Sequence, residues 1–585
     1  MIRYIFSIGL FFCCIISTDY LLDSNLVIRE FCAELLALFL IIFYLPKEKK
    51  VALTPTYTAN ILFAFFSFLS IFWSINKAEA IEEWNKIVIF SIIGVMVYNF
   101  LKNEHISFDQ IITTVSVILT VSLLLGLWDI LSINNYTLAD LYNIKSIHAH
   151  KNSFTSFILL ALPFVMTLLV TTKNRYYKIY GVILFVVSNL FVCFLQTRAT
   201  WFGILISYFV YGLGLTHYLS LKMVKYIIGA VILILIVSAG VLIFVKINFY
   251  DYGYIKHNSD TERFLLWETS YYIIEKYLWV GTGIGNWKIL FFDVINRPQI
   301  DTVDILNVTL HTPHNDFIWV LSETGLIGFS LYIFSIISVL FIGIKSFIIT
   351  KNHKLLIFIS FYIGFLANSF FDFPRERVEH SLLHGIIVAV ILYFSGSKYY
   401  TFKSLKIVVL IPLILFFIFQ SYYRYRGEYN VKKLRYYRDA KQHYNEIKCA
   451  DKAFSVFYTI DIYSNPIMWY KGMAYYNLAD GANALKSFKE ALKSNPFNKF
   501  TLCNIGVLYG VLGDYPTSKH YLIKSLNASS SYADAKFNLA SIYITTNKLD
   551  SAKYWIETID SVKFPAKDSI SPKKILYLNE IKNNY

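Results

Sequence analysis

The feature that most constrains this chain is a succession of apolar runs, about 17 to 25 residues long except for a shorter second one, a length that crosses roughly 30 Å of hydrocarbon as a helix. They fall near residues 2–18, 31–45, 58–75, 85–101, 109–131, 153–172, 177–196, 201–218, 223–247, 326–348, 354–371, 380–397 and 404–421. Inside a bilayer a segment must satisfy its own backbone hydrogen bonds, and runs of this length do so as helices. The expected fold is therefore all-α: a polytopic membrane protein with about 12–13 transmembrane helices. Composition agrees, since 56% of the 585 residues are hydrophobic and only 16% charged, against roughly 25% charged in globular domains. The opening MIRYIFSIGLFFCCIIST is followed by no small-residue cleavage site, so it reads as a retained first helix and not as a signal peptide.

The formal charge of +15 raises nucleic acid as a partner, but the lysines and arginines sit mostly in short connectors, where membrane topology accounts for them. With the N-terminus in the cytoplasm, the cytoplasmic connectors are PKEKK (46–50), TKNRYYK (172–178), LSLKMVK (219–225), KSFIITKNHK (345–354) and SKYYTFK (397–403), all basic. The opposite connectors DYLLDSNLVIRE (19–30) and INKAEAIEEW (75–84) are neutral or acidic. The long insert 248–315 and everything after residue 421 then face outward, which in a bacterium is the periplasm. Cys13, Cys14, Cys32 and Cys193 lie in apolar runs, and Cys449 and Cys503 show no metal-ligand spacing, so neither a metal site nor a disulfide framework is expected.

The outward tail, 422–585, is polar, tyrosine-rich and repetitive. Gly472, Gly506 and Ala540 recur every 34 residues, as do Tyr475, Tyr509 and Tyr543. Ala484, Phe488, Ala491 and Pro496 complete the helix-turn-helix pattern of a tetratricopeptide repeat. A degenerate unit precedes it, in which 448–466 resembles a second helix. Three to four such repeats make a solenoid that presents a concave surface to peptides or protein partners; a plain stabilising role is the alternative.

Ionisable residues at a membrane face are costly and are candidates for function. On the outward side these are Arg198 in QTRATW, Arg263 in SDTERFLLW, His148, His150 and Lys151 in SIHAHKNSF, and His311 and His314 at the end of the long insert. Each singly has a structural explanation. Together they bring cations and imidazoles to one face without an acidic cluster. Two guanidinium groups grip a diphosphate bidentately, and a neutral imidazole takes a proton from a hydroxyl. The matching substrate is an anionic lipid diphosphate.

TRATWFG (197–203), RFLLW (263–267) with GTGIGNW (281–287), HNDFIWVLSETGLIGF (314–329) and HKN (150–152) resemble the O-antigen ligase and O-antigen polymerase superfamily, which also contains bacterial protein O-oligosaccharyltransferases. The resemblance covers about residues 1–421. It implies that Arg198 and Arg263 bind the pyrophosphate of an undecaprenyl-diphosphate-linked saccharide and that His314 activates an acceptor hydroxyl. Attack inverts the anomeric carbon, without metal or cofactor. Asn315 would orient the imidazole, with His311, His150, Lys151 and Asn152 as accessory groups; Glu323, Gly325 and Gly328 read as structural, and Asp19, Asp23 and Asp316 as non-catalytic.

The expectation is a multi-pass protein of the bacterial inner membrane, with a glycosyltransferase part at 1–421 and a periplasmic tetratricopeptide part at 422–585. Its acceptor would be lipid A-core (a ligase), a glycan (a polymerase) or a protein. From another class, a transporter or flippase of lipid-linked glycans has similar spans, but transporters place charges near the midplane, whereas here they gather at the outer surface.

Overall fold

A computed structural model describes residues 2–133, 142–216, 259–294 and 312–559, with four positions between 574 and 579. The expected span at 223–247, most of the long insert and His311 lie outside the described residues. The chain is helical almost throughout. In the apolar part the helices are α1 (Ile2–Ile15), α2 (Leu26–Tyr44), α3 (Pro55–Ser70), α4 (Lys77–Lys102), α5 (Phe108–Leu131), α6 (Lys151–Thr171), α7 (Arg175–Leu195) and α8 (Arg198–Leu215). Then come α9 (Ser259–Lys276), α10 (Trp287–Val294), α11 (Asp316–Thr350), α12 (His353–Ser369), α13 (Val378–Phe394) and α14 (Leu410–Asp439).

Every expected crossing that falls on described residues coincides with a helix. Six segments are long and apolar enough to cross a membrane: α4, α5, α6, α7, α11, and α14 with the turn before it. The protein is thus multi-pass, and the other expected crossings on described residues fall on helices that are shorter or less apolar. Helices α1, α12 and α13 are apolar yet shorter than 18 residues. Helix α2 carries Arg29, Glu30 and Glu34, all buried. Burial of these charges is tolerated because each has partners: Arg29 Nη1 lies 2.9 Å from Glu379 Oε2, Lys86 reaches Glu30 at 3.4 Å, and Glu34 Oε1 accepts from Asn85 Nδ2 (2.7 Å) and Ser421 Oγ (2.6 Å).

Local sequence sets where helices begin. The first N–H groups of a helix lack intrahelical acceptors, and Ser, Thr or Asn supplies one. Asn76 Oδ1 accepts from Ala78 and Glu79, Ser107 Oγ from Gln110, Asn174 from Tyr176, and Asn352 from Lys354 and Leu355. A continuous apolar core then joins α1 to α8 with α11 to α14.

At the far end of α4, strands β1 (Lys50–Leu53) and β2 (Tyr400–Lys403) pair antiparallel, Lys50 opposite Lys403. The basic connectors 46–50 and 397–403 therefore share one end. At that end His105 Nε2 also meets Glu48 Oε1 at 2.7 Å, and Lys102 Nζ lies 3.4 Å above the Tyr399 ring.

The position expected to divide the two parts, 421/422, falls inside α14, which runs unbroken from the apolar core into the solenoid. Its C-terminal half packs on α15 (His443–Ala453) as the first hairpin. The helix expected over 448–466 ends at Ala453; the following residues form a loop closed by isolated bridges Ser455–Tyr458 and Ile460–Pro466. Three hairpins follow: α16 (Ile467–Asn477) with α17 (Gly481–Ser494), α18 (Lys499–Val511) with α19 (Tyr515–Ala528), and α20 (Ala533–Thr545) with α21 (Leu549–Glu557). The 34-residue glycines act as the pattern predicts: a Cβ on Gly472 would lie 2.5 Å from the Phe488 ring, and one on Gly506 would lie 2.7 Å from Leu522.

Candidate functional site

The segment HTPHNDFIWVLSETGLIGF does not make one helix. Gly325 has φ 60° and ψ −171°, a conformation essentially confined to glycine, and it divides α11 into limbs 316–324 and 326–350. The glycine loop 281–287 and the residues just before it satisfy the freed backbone groups. Thr282 N–H donates to Ser322 O (3.1 Å), Gly283 N–H to Glu323 O (3.0 Å), Leu326 N–H to Leu278 O (2.8 Å) and Ile327 N–H to Trp279 O (3.2 Å). Gly281, Gly283 and Gly285 all have positive φ, which allows this close backbone approach. The Glu323 carboxylate accepts from Trp287 N–H at 3.1 Å, so its expected structural role has a definite form: it ties the outer limb to α10.

His314 precedes that limb with φ 52°, a left-handed conformation that costs a non-glycine residue about 1–2 kcal/mol. The indole Nε1–H of Trp267 donates to Pro313 O at 3.0 Å and holds the turn in place. Arg263 lies one helical turn before Trp267 on the same face of α9, and its positive charge acts on the His314 ring. Burial first, then Arg263, pushes the imidazole down to about 4. The ring meets Phe373 edge-on, centroids 4.6 Å apart, and Nδ1 is buried without a hydrogen-bond partner among the described residues. The result is a neutral imidazole, desolvated and beside a cation.

Phe373 separates His314 from a second imidazole, His150, whose ring is 5.8 Å from it. His150 Nδ1 accepts from Ser153 N–H at 3.2 Å, so this histidine caps α6. Burial, then Arg377 and His314, push it down to about 3. Arg198 is exposed at the start of α8. That end of α8 is fixed to the same layer by Thr200, which bonds Thr155 (3.0 Å) and Asn368 (3.3 Å), and by Phe202 against Phe371.

Other expectations need correction. Asn315 does not orient the imidazole: its Oδ1 accepts from Phe317 and Ile318 N–H at 2.9 and 3.0 Å, capping α11. Asn315→Ala is expected to lower stability by about 1 kcal/mol, as loss of an N-cap does, which a thermal melt of the purified variant would measure. Lys151 Nζ lies 4.0 Å over the Tyr142 ring. Asn152, half-buried, offers its carbonyl to Thr155 Oγ1. His148 is withdrawn into the Arg29–Glu379 cluster, Nδ1 3.1 Å from Glu379.

Sequence reasoning missed DFPRER, residues 372–377. Asp372 is buried; desolvation pushes its carboxyl up to about 6, while Arg263 draws it back. The Arg375 guanidinium stacks over Trp319 at 4.7 Å, and the Arg375 backbone N–H donates to Asp316 Oδ2 at 3.4 Å. Arg377 bonds Asp23 at 2.7 Å. The signal was present, because the span count puts this charged connector on the same side as His314. Beside it, a cavity of about 140 Å³ has Glu83, Lys86, Asp316 and Arg375 in its wall.

Residues 183–333 match the family described as O-antigen ligase (Wzy_C). Arg198, Arg263, His314, Glu323 and Gly325 fall within that segment; His150, DFPRER and the solenoid fall outside it. None of the curated proteins matches the chain. Among solved structures, the crystal structure of MamA is similar at 15% identity and a TM-score of 0.21, over 27% of this chain and 81% of that one. The crystal structure of the APC/C hetero-tetramer Cut9–Hcn1 is similar at 12% identity and a TM-score of 0.22, over 85% of this chain and 76% of that one. Both scores are too low to extend the description of the fold.

Proposed function

We propose, from the premise that residues 183–333 form an O-antigen ligase-family segment, that this multi-pass protein transfers a glycan from undecaprenyl diphosphate to an acceptor hydroxyl. The observation that carries the reading is His314, a buried imidazole kept neutral, with Arg263 within electrostatic reach and an Nδ1 that has no hydrogen-bond partner among the described residues. The acceptor O–H gives its proton to His314, and the oxygen bonds to the anomeric carbon from the face opposite the diphosphate. The bond from that carbon to the diphosphate oxygen breaks, and its electron pair leaves with the diphosphate. Arg198 and Arg263 stabilise the charge that develops there, and the sugar is inverted.

The basic connectors at the β1–β2 end favour that end as cytoplasmic, which would put His314 and the solenoid on the periplasmic side of a bacterial inner membrane. A ligase acting on lipid A-core is the first reading of the acceptor, a polymerase joining repeat units the second, and a protein O-oligosaccharyltransferase the third. Purified protein given a synthetic undecaprenyl-diphosphate glycan is expected to release undecaprenyl diphosphate only when an acceptor of the right class is added. Release with none of the three acceptor classes, together with donor translocation across proteoliposomes, would replace the transferase by a flippase.

A further inference from the structure

The solenoid does not hang from α14 alone. Asn76, the buried cap of α4, joins three separate parts of the chain. Its Nδ2 donates to Thr459 Oγ1 (2.9 Å) and to Ser494 O (3.0 Å), both in the solenoid. Its own N–H donates to Asn286 Oδ1 at 2.7 Å, and Asn286 Nδ2 returns a bond to Ile284 O (2.8 Å) in the glycine loop. Asn76 is 4% exposed and Asn286 fully buried, so neither amide can exchange these partners for water without opening the junction.

The glycine loop in turn holds the outer limb of α11 through Ser322 O, Glu323 O and the Glu323 carboxylate. A second contact runs in parallel. Phe497, between α17 and α18, packs into the apolar cluster of Leu266, Trp287, Phe291 and Trp319, and that same cluster receives Phe373, the ring against His314. Arg424 adds a third tie, bonding Glu79 at 3.0 Å and donating to Phe457 O at 3.3 Å.

We infer that the solenoid is a strut for the site, and that Asn76 and Asn286 are positioning residues through which its docking sets the place of the His314 limb. The path is continuous: Thr459 and Ser494 to Asn76, to Asn286, to the loop 281–287, to Glu323, to the limb that follows His314. A recruitment module needs a free surface and a permissive joint; this joint is buried and reaches the base within a few bonds. The effect on turnover rests on the proposed transferase reading, whereas the mechanical coupling does not.

The test uses the full-length protein in nanodiscs. Asn76→Asp keeps the oxygen that caps α4 but replaces the donor with a carboxylate facing the Ser494 carbonyl. Thr459→Val removes one hydroxyl from the solenoid side, and Thr459→Ser keeps it. Hydrogen exchange at Thr282, Gly283, Leu326 and Ile327 is expected to quicken about ten-fold in Asn76→Asp and Thr459→Val, as protection moves toward local opening, and to stay as in the parent in Thr459→Ser. Under the transferase reading, kcat falls about ten-fold or more in the first two variants with donor KM unchanged, the sign of a displaced base. Unchanged exchange in the loop and limb of Asn76→Asp overturns the strut. If the parent protein turns over no donor, the transferase reading falls by itself and the exchange result still decides the coupling.

Discussion

His314→Ala is expected to lower kcat by about 10²–10⁴-fold, the contribution of a positioned general base, with donor KM little changed, because the proposed mechanism assigns the diphosphate to Arg198 and Arg263. The pH dependence gives the sharper signature. Burial and Arg263 hold the imidazole near 4, so the base is already unprotonated throughout the neutral range. The acid limb of kcat/KM, which reports the free enzyme, should fall near 4 and not near 6.5, the value of a free imidazole. A bound diphosphate screens Arg263 and favours the imidazolium, so the limb of kcat, which reports the complex, should lie higher than that of kcat/KM. A kcat that survives the alanine exchange would remove His314 as the base.

Gly325→Ala is expected to be strongly destabilising. The backbone strain alone is about 1–3 kcal/mol for a non-glycine residue in this region of φ and ψ. The added Cβ would also lie 2.5 Å from Gly281 N and from Trp279 O. These are backbone atoms of the loop that caps the break, so no rotamer change relieves the clash. Gly396→Ala provides the control, since Gly396 also has positive φ, 56°, but nothing lies within 4 Å of its added Cβ. The expected outcome is a large fall in melting temperature and in activity for Gly325→Ala and a small one for Gly396→Ala. Equal effects would mean that the break is not held by the 278–283 segment.

What the chain reveals by itself follows from range. Apolar runs and the 34-residue spacing are local signals, and they locate the helices and the small-residue contacts of the solenoid. Asn315 carried a local signal of another kind, a capping residue before an apolar run, and it was read for chemistry when its helix needed it for structure. The partners of Gly325, Asn76 and Phe373 come from segments tens to hundreds of residues away, and no periodicity announces such meetings. DFPRER lies between: its side of the membrane follows from counting spans, but the reach of the Arg263 charge to Asp372 depends on packing. Of the residues proposed for catalysis, Arg263 lies within electrostatic reach of His314, and Arg198 stands exposed at the start of α8.

The division of α11 at Gly325 also bears on how lipid thickness acts on the protein. An unbroken helix of 35 residues would be a rod of about 52 Å, longer than a bilayer with its headgroups, about 40–45 Å. The break leaves residues 326–350, about 37 Å of helix, to meet the hydrocarbon, while the limb behind His314 is bound to the outer layer through α10. A thinner or thicker membrane is accommodated by tilting a span, and because the segment 278–283 bonds both limbs across Gly325, a tilt of residues 326–350 is passed through these bonds to the limb that follows His314. Under the proposed transferase reading, turnover is therefore expected to vary with acyl-chain length in bilayers of fixed headgroup.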